Sequence, residues 1–356
     1  MTLRYNLKYR KWRVVMIRFE MYKLFKRKLI LATFIVVILL IILPNIDYIR
    51  TYVFDKSEHK KLEYQLNRYE KNKGIITEQR ISEFIDGYKW EKNDPIGEFL
   101  NDKKIIPIKQ IFSKQNFNIH FGYFKLWCFL VDDFQKYIKD IAVFIAIAFS
   151  GLFSYEKTCG MQEIIMSSQY GRRKSILARI KGAFLLTNIM LLFAIVIFEC
   201  TLYLLTHGIG ADTSIQMVPW LWDSCLDMRY GQLLIHMFFI SFIGINFILL
   251  ITLSVAFLAN NPMAAVCGSV AILFFARPDI INMGVSKDNQ IVTMIASALP
   301  LNIFDVHTLA LQPEISLFGA NIQFIKLVEV LYVILFGGSI IYFLNVMTKK
   351  QKYCPM

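Results

Sequence analysis

The sequence predicts an all-α integral membrane protein with about six transmembrane helices, an N-terminal interfacial helix and a mostly helical external domain between spans one and two. Of its 356 residues, 56% are hydrophobic and only 19% are charged. The apolar residues form long blocks, and a bilayer requires blocks of about 20 apolar residues whereas a soluble core does not. Basic residues cluster in alternate connecting segments, as expected of a protein that crosses a membrane several times.

Six apolar blocks are the predicted spans. A signal peptide is the rival interpretation of the first block, but no small-x-small cleavage pattern follows it, so we interpret it as an uncleaved span. Only Asn260, Asn261 and Pro262 separate the fourth block from the short fifth block, which predicts a helical hairpin with Pro262 in the first turn of its second helix. The predicted spans are 29–46, 138–153, 182–205, 233–258, 262–275 and 327–346.

The distribution of charge predicts which side of the membrane each segment occupies. Residues 1–28 carry ten Lys or Arg against one acid, Glu20. The segment after span two is also basic, whereas 207–232 and 277–326 are slightly acidic. The positive-inside rule therefore predicts a multi-pass protein of the cell membrane with both termini in the cytoplasm. The isoelectric point near 9.3 follows from this topology, and we expect no nucleic-acid partner.

The cytoplasmic segment 1–28 contains a predicted interfacial helix. Phe19, Tyr22 and Phe25 recur at a spacing of three residues, with the bases Arg18, Lys23 and Lys26 next to them in the sequence. On a helix this spacing places the aromatic rings on one face beside the bases, which is typical of a helix lying in the membrane interface. The alternative is a basic flank that only sets topology.

Two of the three predicted external segments, 47–137 and 277–326, contain predicted structure. Residues 47–137 form the mostly helical external domain, in which 56–73 carries Leu62, Leu66 and Tyr69 on one helical face. The remaining chain, 138–356, contains spans two to six and the external segment 277–326. Within that segment 291–303 is apolar but too short to cross, so it is either a re-entrant or interfacial helix, or a buried turn against the external domain.

The sequence lacks the motifs of nucleotide binding and catalysis. No G-x-x-x-x-G-K-[ST] phosphate loop occurs, and no H-E-x-x-H or G-x-S-x-G motif is present. The five His and six Cys show no zinc-site spacing. We therefore expect no catalytic residue, no metal site and no cofactor in this chain. In the predicted topology only Cys128 and Cys225 face outside.

The cytoplasmic segment 154–181, between spans two and three, is the most informative part of the sequence. Glu156 lies where span two reaches the water, and Gly160 permits a sharp turn. One to two turns of amphipathic helix follow, and Arg172 and Arg173 then lie at the level of lipid head groups. A short helix held between two rigid spans can transmit a push from a soluble partner.

This segment resembles the coupling helix of the permease subunits of type-2 ATP-binding-cassette (ABC) exporters. Six spans, an interfacial N-terminal helix and a hairpin of spans four and five are also similar to that family, although a large external domain after span one occurs in only some of its branches. The resemblance implies a cytoplasmic ABC ATPase dimer that binds ATP and Mg²⁺, a second permease half (identical or different) and surrounding lipid as partners. The implied ATPase-coupling residues are Glu156, Gly160, Met161, Gln162, Glu163, Ile164, Ile165, Arg172 and Arg173.

Polar residues inside the spans are candidates for a translocation path, because they are costly in a bilayer. Glu199 falls in the outer third of span three, and His236 lies near the outer start of span four. They predict an outer polar ring that lines an exit, or side chains that snorkel to the interface. Asn246 lies nearer mid-membrane, where it can bond across helices.

The predicted function is export of an amphipathic peptide, antibiotic or lipid-like compound. Aromatic residues make up 15% of the chain, and the spans hold no deep cluster of charges that a strongly charged cargo would need. A membrane-anchored peptide sensor or immunity protein without transport is one alternative. The other is an ATP-independent secondary transporter, which would favour mid-membrane acids or broken helices.

Overall fold

The computed structural model contains five helices that are long enough and apolar enough to cross a membrane, among the residues that it describes. The chain is therefore a largely helical membrane protein. A sixth apolar helix has 14 described residues, and the residues that follow it, 276–289, lie outside the described part of the chain. The described residues are 22, 26, 28–71, 73–76, 119–160, 175–217, 221, 224, 226–275, 290–317 and 320–350.

The elements alternate long apolar helices with short external pieces. Two pairs of three-residue antiparallel strands, which the sequence did not predict, tie external loops together. In chain order the elements are α1 (Lys28–Ile49), followed by a π-helical turn Arg50–Phe54, α2 (Lys56–Lys71), β1 (Gly74–Ile76), β2 (Ile119–Phe121), α3 (Lys125–Thr158), α4 (Ile176–Thr206), a 3-10 turn Ile215–Met217, α5 (Tyr230–Leu258), α6 (Pro262–Phe275), α7 (Gln290–Ser297), a 3-10 turn Asn302–Phe304, α8 (Val306–Ala310), β3 (Ile315–Leu317), β4 (Ala320–Ile322) and α9 (Phe324–Lys350).

Helix α3 begins at Lys125, earlier than the predicted start of span two at residue 138. Its 34 residues extend about 51 Å at 1.5 Å per residue, well beyond the hydrocarbon core. Buried Leu126, Leu130 and Phe134 continue the helical apolar spacing outward. Charged residues on the opposite face lower the local hydropathy there. Hydropathy alone therefore predicts that this part of the helix belongs to the external domain.

The described part of the external domain is a helix with a small sheet. Helix α2 buries Leu62, Leu66 and Tyr69, as its spacing predicts. The Tyr69 ring stacks on Phe121 of β2 at 5.4 Å between ring centroids, and β1 pairs with β2 in the register Gly74 to Phe121. The remainder of the predicted domain, 77–118, lies outside the described residues.

Helices α3 and α5 form the centre of the bundle and pack along each other, with α4 and α6 against α3, α1 against α3 and α4, and α9 against α5. Three aromatic rings hold the centre together. Phe134 lies 4.7 Å from Phe198 and 5.5 Å from Phe238, between ring centroids. These three side chains come from α3, α4 and α5, so the core is formed where the three helices meet.

The predicted hairpin of spans four and five is confirmed. Helix α5 ends at Leu258, and α6 begins at Pro262. The Asn261 side chain accepts a hydrogen bond from the Ala264 amide at 2.6 Å, and so satisfies one of the amides left open at a helix start.

The described part of the external segment 277–326 contains a short helix and a buried turn, and the position of the helix in the membrane stays a prediction. Helix α7 is a short helix with Ile291 and Ile295 exposed, whereas Ile303 and Phe304 form a buried turn. This turn packs against Gly244, where an added Cβ would lie 2.6 Å from Ile303 Cδ1. Gly244 is 14 residues into α5, about 21 Å along its axis, so the turn reaches deep beside that helix. The segment ends where α9 begins, at Phe324 rather than after 326.

Candidate functional site

Lys157 fastens α3 to α5 at the helix ends that the predicted topology assigns to the cytoplasm, the inner ends; the opposite ends are the outer ends. The Lys157 Nζ donates hydrogen bonds to the carbonyl oxygens of Phe257 and, at 2.9 Å, Ala259. The last carbonyls of a helix lack partners within it and carry partial negative charge, so an ammonium group stabilises them. The same ammonium lies 5.7 Å from the centre of the Phe257 ring. A displacement of the inner end of α3 is therefore transmitted to α5.

The predicted coupling segment, 154–181, contains this contact. Glu156 lies in the last turn of α3, although its side chain is outside the described part of the chain. Gly160 adopts φ +65°, a left-handed conformation that glycine accepts without strain and that ends the helix direction. The coupling residues that lie outside the described residues are Met161, Gln162, Glu163, Ile164, Ile165, Arg172 and Arg173.

Of the predicted interfacial aromatic residues, only Tyr22 is described. It is 56% exposed, and Lys26 Nζ lies 4.7 Å from the centre of its ring. Phe19 and Phe25 lie outside the described residues. The contact is consistent with a surface that places bases beside aromatic rings, and the interfacial helix itself stays a prediction.

Asn246 bonds across helices, as predicted, and its partner is Asn188 on α4. Each side-chain amide donates to the carbonyl oxygen of the other, both at 3.0 Å. Each also donates to the backbone carbonyl four residues earlier, Phe184 or Phe242. All four amide N–H groups are thus satisfied inside an apolar bundle, where an unmet donor is costly. The pair fixes α4 against α5.

His236 is paired with Glu329 of α9 rather than with Glu199. His236 Nδ1 lies 2.6 Å from Glu329 Oε1, and both side chains are largely buried. Glu199 is half-buried, and the described residues contain no hydrogen-bond or ion-pair partner for its carboxylate. The predicted grouping of Glu199 with His236 is therefore wrong in its partner.

Glu199 instead lies on an outward face of α4. That face has a continuous helical spacing, and its apolar members are exposed: Leu185, Ile189, Leu192, Val196 and Tyr203. On the inward side Phe198 fills the space between α3, α4 and α5. The three helices are packed at this level, as protein interiors generally are.

A cleft on the outer side of the molecule was missed at the sequence level. It has a volume of about 480 Å³ and lies between the outer half of α3 and the turn that leads into α8. Asp132 Oδ1 lies 2.8 Å from His307 Nδ1, and Lys139 Nζ lies 3.7 Å from Asp305 Oδ2. The lining residues are Asp132, Gln135, Lys136, Lys139, Asp305, His307, Thr308 and Leu311. The spacing of 132, 135, 136 and 139 indicates one helical face, a signal visible only once α3 is known to begin at Lys125.

External loops fix the outer end of α3. Trp127 Nε1 donates to the Ile209 carbonyl at 2.7 Å, and the Ser214 hydroxyl accepts from the His120 amide at 2.8 Å. Tyr123 is 2% exposed, and burial raises the pKa of its phenol, which stays protonated. The cleft therefore lies on an ordered external surface.

The described cysteines are free thiols. Cys128 is buried, so it does not meet the exposure that labelling from outside requires, and its predicted side of the membrane stays a prediction. Within the described ranges no three His, Cys, Asp or Glu side chains are grouped as a metal site would require.

Comparison with known proteins gives no relative. No protein-family model matches the chain, and neither the curated proteins nor the solved structures contain a significant match. The function must therefore be argued from the geometry and from the sequence pattern.

Proposed function

We propose that the chain is the membrane permease subunit of an ABC exporter, located in the cell membrane with both termini in the cytoplasm. The observation that carries the proposal is the Lys157 contact. The side chain that fastens α3 to α5, Lys157, lies within the segment that resembles a coupling helix, 154–181. A push on that segment would move two central helices together.

The packing of the bundle supports a rigid-body response. Helix α3 contacts α5 along its length, the Phe134, Phe198 and Phe238 rings join α4 to them, and the Asn188–Asn246 pair holds α4 to α5. Closure of a cytoplasmic ATPase dimer on ATP would tilt these helices as one body, which is a common way for packed domains to switch between states. ATP and Mg²⁺ would bind in the ATPase.

The translocation path would lie between this chain and a second permease half, either identical or different. The α3–α4–α5 centre is filled by aromatic rings, so cargo cannot cross there. The exposed face of α4, with the half-buried Glu199 among apolar side chains, is the surface we assign to the second half or to the path. A carboxylate facing only lipid would be expensive, and a protein surface or a wetted path relieves that cost.

The cargo we propose is an amphipathic peptide, an antibiotic or a lipid-like compound. The exposed side chains of α4 and α9 are apolar and aromatic, with Phe193, Tyr203 and Tyr342 among them. Such a surface suits a molecule that enters sideways from the bilayer, whereas a sugar-like cargo would need polar partners throughout.

The two alternatives differ in what supports them. None of the Asp, Glu or Lys side chains in the described part of the chain is fully buried. The acids Glu199 and Glu329 of the spans lie toward the outer ends. A proton- or ion-coupled secondary transporter would need such a group near the middle of the membrane. A membrane-anchored peptide sensor or immunity protein is the second candidate, because the ordered external cleft beside α3 could receive a ligand without transport.

The test is ATPase coupling. The chain is co-expressed with an ABC ATPase encoded next to it, reconstituted in liposomes, and assayed for ATP hydrolysis with and without the chain. We expect no hydrolysis by the chain alone, and hydrolysis by the ATPase that the chain stimulates several-fold.

Lys157→Met should abolish most of this stimulation while the complex still assembles, because the α5 carbonyls lose their cation. Lys125→Gln, at the opposite end of the same helix and exposed, is the matched control and should leave stimulation unchanged. A chain that forms no complex with the ATPase would reject the exporter and favour the sensor.

A further inference from the structure

The outer cleft brings two charge types into one small space. Asp132, Gln135, Lys136 and Lys139 lie at helical positions i, i+3, i+4 and i+7 of α3, so they share one face. Asp305 and the following turn form the opposite wall. The volume of about 480 Å³ falls in the range of small-molecule binding sites, roughly 300–1,000 Å³.

A buried donor lies in this lining without a partner. Gln135 is only 5% exposed, and its Nε2 donates no hydrogen bond within the described part of the chain. Buried amide groups are nearly always paired, so an unpaired one at a cleft points to an acceptor that the protein itself does not supply. The terminal torsion of glutamine is soft, so its amide can turn toward the cleft at little cost.

The charged groups of the lining are only partly engaged. Lys139 Nζ is 3.7 Å from Asp305 Oδ2, beyond hydrogen-bond distance. One oxygen of Asp132 contacts His307, and the Asp132 side chain keeps 33% of its surface exposed. Lys136 is held by Asp133 at 2.8 Å and is largely exposed. The cleft therefore offers free N–H donors near Gln135 and Lys139, and a free carboxylate oxygen at Asp132.

We infer that this cleft binds a small zwitterion, with the anionic oxygens of the ligand between Gln135 and Lys139 and its ammonium group at Asp132. The two carboxylates and two ammonium groups of the lining cancel in formal charge. An ion of one sign thus gains little from the overall field, whereas a ligand that carries both signs pairs with both the ammonium and the carboxylate groups of the lining. Such binding does not depend on whether the chain transports anything.

Two sources carry this chemistry at the outer membrane surface. One is a free amino acid or a short peptide from the aqueous phase, which carries an ammonium and a carboxylate group. The other is the phosphoethanolamine head group of a lipid. At 1.5 Å per residue, Lys139 is about 28 Å from the inner end of α3, which is near the level of the outer head groups.

The experiment uses the full chain in nanodiscs that contain only phosphatidylglycerol, titrated calorimetrically with glycylglycine and, separately, with O-phosphoethanolamine. Acetate and methylammonium are the single-charge controls. The variants are Lys139→Gln and Gln135→Leu, with Lys125→Gln on the same helix as the matched control. Thermal melting of each variant establishes that it is folded.

We expect at least one zwitterion to bind, and the tighter of the two identifies the source. Lys139→Gln and Gln135→Leu should each weaken its association constant by about tenfold or more, because each removes a hydrogen bond to a charged group. Lys125→Gln should bind as the unaltered chain does. Failure of both zwitterions to bind, equal binding by acetate or methylammonium, or unchanged binding by two folded cleft variants would overturn the assignment.

Discussion

Asn188 and Asn246 donate hydrogen bonds to each other across the α4–α5 interface, each at 3.0 Å. Asn188 is 12 residues from the inner end of α4 and Asn246 is 12 residues from the inner end of α5, so both lie about 18 Å along their helices. Side chains at equal depth on antiparallel helices can pair without bending either helix. The pair fixes the register of the two spans.

Replacing one asparagine should destabilise the bundle by leaving the other amide unpaired. We expect Asn188→Leu and Asn246→Leu each to lower the free energy of unfolding by about 1–2 kcal/mol. The double variant should lose less than the sum of the two, because no orphaned amide remains. Unfolding in mixed micelles, followed by circular dichroism, measures all three variants.

The matched control for this cycle is Ser254→Ala, whose hydroxyl bonds only to the Leu250 carbonyl of its own helix. Its effect should add to that of Asn188→Leu. Strict additivity of Asn188→Leu and Asn246→Leu would mean that the two amides do not interact in the membrane.

The His236–Glu329 contact should hold the outer half of α9 to α5. Glu329→Ala removes a 2.6 Å contact from α9, a helix whose apolar residues are mostly exposed. We expect hydrogen exchange in the outer turns of α9 to accelerate about five- to thirty-fold, as a loss of 1–2 kcal/mol implies. Exchange in α3 should not change.

Lys326→Ala serves as the control on the same helix, because that side chain is exposed. It should leave exchange in α9 unaltered. If both variants accelerated exchange equally, the local effect would come from the loss of any charge there and not from the pairing with His236.

Two helical glycines should respond to alanine in opposite directions. At Gly151 of α3 an added Cβ meets nothing within 4 Å, so Gly151→Ala should stabilise the protein by about 0.5–1 kcal/mol through helix propensity. At Gly244 of α5 the Cβ would lie 2.6 Å from Ile303 Cδ1 and 2.7 Å from Phe304 Cε1.

Gly244→Ala must therefore displace the buried turn, and we expect it to destabilise the protein by about 1–3 kcal/mol. Thermal unfolding in one detergent compares the two variants directly. A stabilised Gly244→Ala protein would show that the turn is not packed against α5.

Cys159 reports the side of the membrane. It is exposed just beyond the end of α3, in a segment that the charge distribution places in the cytoplasm. In a variant with Cys159 as its single cysteine, an impermeant maleimide should label the thiol only after the cells are permeabilised. A single cysteine in place of Lys60, exposed on α2, should react in intact cells. Labelling of Cys159 in intact cells would reverse the predicted topology.

Cys128 should stay unlabelled in folded protein on either side of the membrane. It is 3% exposed and packed beneath the external loops. Labelling after denaturation provides the positive control. Reaction in the folded state would mean that the external loops open.

The sequence by itself determined the membrane character, the approximate positions of the long helices and the α5–α6 hairpin. These features follow from local physics, since backbone groups in hydrocarbon must bond within a helix and proline at position 262 favours the first turn of one. The face of α2 with Leu62, Leu66 and Tyr69 was likewise readable, because burial recurs at the helical period.

Only the tertiary structure decided which polar groups meet. The pairing of His236 with Glu329, of Asn246 with Asn188, and of Lys157 with the end of α5 joins residues 58 to 102 positions apart. Helical periodicity shows which residues share a face of one helix. It does not set how the neighbouring helices are rotated about their axes or shifted along them, because packing fixes both. The outer cleft depends on both, because its two walls, on α3 and at Asp305, become adjacent only when the bundle forms.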